Sequence, residues 1–266
     1  MINVRTYGKQ PYQVVVVHAG PGYVGAAAGL ARELSKRYGV IEPLQTQDTI
    51  LGLVEELKEQ IESITKEPVI LIGHGWGAQL SAIFSAIHPD MVKKLVLISC
   101  LPLRISYIEE IDIRREYHYS QEDLKSYTAV KKSLKNKESS DKTEAFIELS
   151  RLCKISDEYQ PFIVEQDTKD IVNVNGDLFY SIMHELGELV LSGKLIQYFT
   201  NIKCPICVIH GQYDSHPVEG IIEPLLELNI PHRLCIIDDS GHTPWRETLG
   251  IDDFLRALIY EIEESK

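Results

Sequence analysis

The chain has 266 residues, with 39 acidic against 27 basic side chains and a formal net charge of -12 at pH 7. A surface this acidic repels nucleic acid and anionic membranes before any contact forms, so neither is an expected partner. Hydrophobic residues make up 44% of the chain, and the length suits one α/β domain carrying an insertion.

Met1-Ile2-Asn3-Val4-Arg5 contains no basic segment followed by an apolar stretch, and the longest apolar runs are of strand length. The expectation is a cytoplasmic protein that is neither secreted nor membrane-spanning. Gln13-Val14-Val15-Val16-Val17 is a continuous, mostly β-branched run, as in a central parallel strand buried on both faces. It ends in a Gly/Pro-rich loop, His18-Ala19-Gly20-Pro21-Gly22. Residues 26–37 have helical composition, 39–44 supply a short strand, and 51–64 place Leu53, Leu57, Ile61 and Ile64 at helical spacing. Val69-Ile70-Leu71-Ile72 is the next buried strand, followed at once by Gly73-His74-Gly75-Trp76-Gly77 and by a helix over 78–87 that stops at His88-Pro89. Leu95-Val96-Leu97-Ile98 is a further strand. Repeated βα units predict a mostly parallel sheet covered by helices, with its ligand site outside the carboxyl ends of the strands, where both unusual turns fall.

The pattern changes after Cys100. Residues 101–193 carry many charges, tyrosines at 107, 117, 119, 127, 159 and 180, and no strong strand. This stretch is expected to be a helical cap, with 1–100 and 194–266 forming the α/β core. The run Lys131-Lys132-Ser133-Leu134-Lys135-Asn136-Lys137-Glu138 reads as a solvated helix face and loop, because acidic neighbours offset its charge. Strands resume at 205–210 and 233–237, with a helix over 217–228 between them and a last helix over 249–262. The two strands run into Gly211-Gln212-Tyr213-Asp214 and Asp238-Asp239-Ser240-Gly241-His242.

Five cysteines, an odd number, give no disulfide framework. Cys204-Pro205-Ile206-Cys207 spells C-x-x-C, but it enters a strand and lacks the helix N-terminus that would activate a thiol. Gly73 to Gly77 has the form of a nucleophile elbow, Gly-x-Ser-x-Gly, with Gly75 where the serine stands. Position 75, Asp214 and His242 follow the chain order nucleophile, acid, base. In such a site the aspartate fixes the imidazole tautomer and stabilises the imidazolium, while the other ring nitrogen takes the nucleophile's proton. Asp239 is a poorer acid candidate, and His74 and His18 read as packing and loop-ordering residues. His18, His216, Asp214 and His242 together raise a metal site, but no helix carries His-x-x-x-His spacing, so no metal is expected.

Over its whole length the chain resembles an α/β-hydrolase of the capped, proline iminopeptidase-like branch. His18 to Gly22 resembles that branch's His-Gly-Gly-Pro-Gly loop, Gly73 to Gly77 its elbow, Gly211 to Asp214 its acid loop, and Ser240-Gly241-His242 its histidine loop. The resemblance implies serine acyl transfer on a small ester, amide or short peptide, without metal or organic cofactor. It also implies an oxyanion hole from the amides of Gly20 and Trp76, each donor of this kind being worth on the order of 10²–10³ in rate. A homodimer is a weaker expectation. Glu185 and Glu188, beside Gly187, are candidates to hold a substrate amine. The departure is Gly75: deleting the serine of a dissected serine protease costs roughly 10⁶ in turnover, so the chain is expected to be inactive or nearly so. A water activated by His242 is the minor route to residual hydrolysis. The alternative is a pseudoenzyme that binds a small ligand between cap and core. A natural glycine and a replaced serine fit the sequence equally, and glycine relieves roughly 1 kcal/mol of elbow strain.

Overall fold

The computed structural model describes residues 3–136 and 142–264. The end of the basic run, Lys137 and Glu138, lies outside the described residues. Seven strands form the main sheet: β1 (Val4–Tyr7), β2 (Tyr12–Val17), β4 (Gly39–Pro43), β5 (Val69–His74), β6 (Val92–Ile98), β8 (Ile206–Gly211) and β9 (His232–Ile237). Their order is β1-β4-β2-β5-β6-β8-β9, antiparallel between β1 and β4 and parallel elsewhere. The short antiparallel edge strand β1 has no counterpart in the sequence reading.

Strand periodicity divides the core. Val15, Val17, Leu71, Leu95, Leu97 and Val208 point to one face, and Val14, Val16, Ile70, Ile72, Val96, Ile98, Cys207 and Ile209 to the other. Helices α2 (Ile50–Glu62) and α3 (Trp76–Ile87) cover the first face. The second is covered by α1 (Ala28–Ser35) and α11 (Ile251–Glu263). Helix α3 is buried from Trp76 through Ser85, which is why its sequence is apolar all round. Thr49 caps α2 by accepting from Gly52 N at 3.1 Å.

Between β6 and β8 the chain runs through α4 (Ile105–His118), α5 (Gln121–Lys135), α6 (Lys142–Asp157), α7 (Glu165–Asp170), α8 (Gly176–Leu191) and α9 (Lys194–Asn201). It is not wholly helical: β7 (Asn173–Val174) pairs antiparallel with β3 (Tyr23–Val24), just after the glycine loop. So short a strand leaves no readable alternation. Tyr127, Val130, Leu134, Ala145, Phe146 and Leu152 form a separate apolar cluster here, and Tyr23 and Phe179 pack against it. Ile182, Leu186 and Val190 of α8 join the main core instead. The helix α10 (Glu219–Glu227) connects β8 to β9. No helix among the described residues is long and apolar enough to cross a membrane.

Chain order turns around at β2, which lies between β4 and β5. A reversal of this kind opens a crevice at the carboxyl ends of the strands. The pairs Val17↔Gly73, His74↔Ile98, Ile98↔Ile209 and Gly211↔Ile237 bring the loops after β2, β5, β8 and β9 to that end together.

Candidate active site

The turn after β5 is dictated by close backbone approach. A Cβ on Gly73 would stand 2.5 Å from Ala78 Cα, and one on Gly77 would stand 2.7 Å from Val17 O, so neither position admits a side chain. Gly75 between them has φ 54° and ψ -119°, a conformation that strains any residue bearing a Cβ. Its amide donates to Ile98 O at 2.9 Å and its carbonyl accepts from Ala78 N at 3.1 Å, holding the turn at both ends. A Cβ on Gly75 would point at His242, 3.2 Å from Nε2, and lie 3.1 Å from Ala19 Cβ. Trp76 is the first residue of α3, so its amide has no acceptor within the helix.

Asp214 and His242 meet as their order in the chain anticipates, with His242 Nδ1 donating to Asp214 Oδ2 at 2.9 Å. The imidazole is fixed from several sides. His242 N donates to Asp157 O at 2.7 Å, and His242 O accepts from His74 Nε2 at 2.9 Å. His74 in turn lies edge-on to Trp245, with ring centroids 4.6 Å apart. His74 is therefore a support for the histidine loop, in line with its packing role.

Asp214 carries a second imidazole. Its Oδ1 accepts from His216 N at 2.9 Å and from His216 Nδ1 at 2.6 Å. On the far side of that ring, Arg115 Nη2 of α4 donates to His216 Nε2 at 3.3 Å. Since Arg115 can only donate, His216 Nε2 is unprotonated and the ring is neutral. Arg115 also grips the buried Asp157 carboxylate, with Nη2 2.5 Å from Oδ2 and Nε 2.9 Å from Oδ1. His210 Nε2 donates to His216 O at 2.8 Å, closing the group beneath the loop. In the sequence His216 stands out only as a residue type that can ligate a metal, and no motif singles out Arg115 or Asp157.

The charges follow from this packing. Burial opposes charge on Asp214, but His242, His216 and His210 together hold its carboxyl well below the usual range. Burial would likewise lower His242, but Asp214, with Asp157 and Glu158, outweighs it and pushes the imidazole up to about 9. His74, His216, His210 and His18 all move down, chiefly through burial. The site thus holds one imidazolium among neutral imidazoles. Asp214, His216 and His242 could each offer a ligand atom within 4.8 Å of the others, but both Nδ1 atoms are already spent on Asp214 and a guanidinium stands at His216. That is the arrangement of a hydrogen-bonded chain.

Other predicted positions fall elsewhere. Glu185 accepts from Ile50 N at 2.9 Å at the start of α2, and with Glu188, Asp48, Thr49, Tyr180, Ser181 and His184 it lines a surface cavity of about 440 Å³ that does not include Gly75. Glu158, rather than Glu185 or Glu188, borders the histidine loop: it accepts from Thr243 N at 3.0 Å and from Thr243 Oγ1, and burial pushes its carboxyl up to about 8. Asp239 sits in a left-handed turn at φ 49°, while Asp214 holds the imidazole. Gly20, at φ 65°, lies in the loop after β2, where its Cβ position is 3.6 Å from the Phe146 ring. His18 Nδ1 donates to Ala19 O at 3.0 Å, ordering that loop. Cys207 is buried within β8 with its thiol pushed up to about 12, and Cys204 precedes the strand with its thiol at about 11, the opposite of an activated redox pair.

Residues 12–244 match the family model for the alpha/beta hydrolase fold. A proline iminopeptidase of Heyndrickxia coagulans is 26% identical, covering 92% of this chain and 91% of the relative. Among solved structures, a proline iminopeptidase of Mycobacterium smegmatis superposes with a TM-score of 0.68 at 16% identity, over 98% of this chain and 94% of that one. The crystal structure of VinJ gives 0.68 at 18% identity over 99% and 95%, and an enol-lactonase from Burkholderia xenovorans 0.61 at 16% over 98% and 96%.

Proposed function

The chain belongs to the α/β-hydrolase family, in its proline iminopeptidase-like branch, and from that premise we propose that it carries a serine-hydrolase site for a small ester, amide or peptide from which only the nucleophile is missing. The observation that carries this reading is Gly75 itself. It stands on an elbow whose backbone has the conformation that would strain a residue with a Cβ, and its Cβ position faces His242 Nε2 at 3.2 Å. A serine hydroxyl there would donate to Nε2, and Asp214 on Nδ1 would stabilise the imidazolium formed when the proton moves. The amides of Trp76 and Gly20 would receive the oxyanion. Attack by Oγ on the acyl carbon would release the alcohol or amine with the proton held by His242, and water would then free the acid. Without Oγ no acyl-enzyme forms.

The test is hydrolysis of p-nitrophenyl esters and aminoacyl amides by the chain and by Gly75→Ser. The expected result is turnover near background for the chain and a gain of at least about 10³-fold for the serine form, within the roughly 10⁶ a serine is worth. Equal inactivity of both forms overturns the reading. Robust turnover by the chain with Gly75 overturns it too, in favour of water activated by His242.

A second reading, a ligand-binding protein, is favoured by the charge on His242. An imidazole pushed up to about 9 is mostly protonated at neutral pH, and a protonated imidazole is a hydrogen-bond donor, not a base.

A further inference from the structure

We propose that two copies of this chain pair through β9, antiparallel across a two-fold axis at Cys235, so that their seven-stranded sheets join into one. The pairing does not depend on the chemistry at position 75.

The edge is open. β9 ends the strand order and, among the described residues, pairs only with β8. In that parallel ladder Ile237 O accepts from Gln212 N, so residues 233, 235 and 237 turn their backbone groups to β8. Leu234 and Ile236 therefore point their N–H and C=O outward, and a row of such groups is a template for another strand. Nor is the strand guarded. Leu234 is 44% exposed and Ile236 40%, with no charge at either position. Arg233 is drawn over α11 instead, its Nε 3.1 Å from Glu261 Oε1 and its guanidinium 4.9 Å from the Tyr260 ring centroid. At the opposite edge of the sheet, Arg5 of β1 donates to Asp170 O at 2.9 Å, so a charged residue and the end of α7 stand over that strand. Alternation sets Leu234 and Ile236 on the face away from Cys235 and Ile237, which pack with the α11 cluster. That is the face carrying α10, where Leu226 and Leu228, just past the helix end, are exposed too and extend the apolar surface.

The ends of the strand select a second copy as the partner. His232-Arg233 at its start is basic and Asp238-Asp239 just past its end is acidic, with the apolar run Leu234 to Ile237 between them. Antiparallel pairing sets the basic end of each copy beside the acidic end of the other, and the contact is its own complement about a two-fold axis. Outward-facing residues must oppose one another in such a ladder, which leaves only registers with a residue on the axis. With Cys235 there, each Leu234 exchanges both hydrogen bonds with the partner's Ile236, His232 stands opposite the partner's Asp238, and Arg233 is one diagonal from its Asp239. With Leu234 on the axis, His232 would face the partner's Ile236, and with Ile236 there, Leu234 would face Asp238. The net charge of -12 opposes association at long range. At physiological salt a Debye length of about 8 Å screens that repulsion and leaves the local pairing to decide.

Sedimentation equilibrium of the full chain at physiological salt is expected to show a monomer–dimer equilibrium with a Kd on the order of 10 μM, as suits a small interface. Ile236→Lys, checked as folded by circular dichroism, puts a charge on the outward row and should weaken association at least about tenfold. Disulfide trapping, with copper–phenanthroline as the oxidant, reads the register. Residues opposed in a non-hydrogen-bonded pair have Cα atoms about 4.5 Å apart, within the roughly 4.4–6.8 Å that a disulfide spans. A covalent dimer should therefore form with the chain and not with Cys235→Ser. A chain that stays monomeric to about 200 μM, well above that Kd, overturns the proposal, whatever else binds the open edge. A dimer unmoved by folded Ile236→Lys, or one trapped equally without Cys235 or not trapped at all, overturns it too. If Ile236→Lys does not fold, the trapping result decides alone.

Discussion

Replacing Gly75 by alanine isolates what the elbow demands of any residue with a Cβ. At φ 54° and ψ -119° the backbone lies where side-chain-bearing residues are strained, at a cost of about 1–3 kcal/mol. The added methyl would also sit 3.1 Å from Ala19 Cβ and 3.2 Å from His242 Nε2. Relieving that by a few tenths of an ångström, against a histidine anchored through its ring on Asp214 and through its amide on Asp157, adds about 1 kcal/mol, the low end for overpacking. The expected loss is about 2–4 kcal/mol, or a fall in Tm of roughly 4–16 °C at 2–4 °C per kcal/mol. Urea unfolding followed by tryptophan fluorescence measures it, and an unchanged slope would show that the unfolded state is the same. Gly187 in α8 is the control. Nothing lies within 4 Å of its Cβ position and its φ is ordinary, so Gly187→Ala should stabilise by about 1 kcal/mol through helix propensity. A loss below about 0.5 kcal/mol for Gly75→Ala would mean that the surroundings do not impose the elbow conformation, and the reasoning would fail.

Arg115→Met removes the cation from the buried Asp157 carboxylate and from His216 Nε2, and should destabilise by about 3–5 kcal/mol in urea. The double variant Arg115→Met/Asp157→Asn should recover part of that loss, and a fully additive loss would refute the pairing. His242 has its pKa raised from 6.5 to about 9, so its contribution to stability is complete below pH 6.5 and lost as pH rises through 9. The limit is roughly 3 kcal/mol at 1.36 kcal/mol per unit, and His242→Gln should flatten that part of the urea-stability profile between pH 6.5 and 9.5. In Gly75→Ser the neutral imidazole is the base, so kcat/KM should rise with pH to a plateau above about 9; a profile flat from pH 6 would contradict the raised His242.

The sheet was readable because its strands are buried on both faces, so Val14 to Val17 or Val69 to Ile72 need only be apolar and β-branched to declare themselves. Strand β1 was missed for the converse reason, since an edge strand of half-buried residues reading Val-Arg-Thr-Tyr leaves no continuous apolar run. At the site, Gly75, Asp214 and His242 were legible from their places at strand ends, because the turns that hold them have strict local chemistry. Arg115 and Asp157 were not. They meet across 42 positions through helix packing, which has no local signature, and Asp157 touches the histidine loop through its backbone carbonyl, an atom every residue has. Glu158 outcompeted Glu185 for the same reason: the fold, not a motif, decided which acidic side chain lay beside His242.

On the proposed reading, the same arrangement explains why a nucleophile at position 75 can be absent while the rest of the site persists. Asp214 is bound to the fold as well as to His242: it accepts both the amide and the ring of His216, and stripping its charge would leave the His242 imidazolium without its counter-ion. His242 likewise joins the loop after β9 to Asp157 through its amide and to His74 through its carbonyl. A side chain at position 75 has no comparable structural task. The elbow is closed by the Gly75 amide and carbonyl, both of which glycine supplies, and a Cβ there adds only strain and a crowded contact. Removing Asp214 or His242 should therefore lower stability, whereas glycine at 75 keeps about as much stability as alanine would lose.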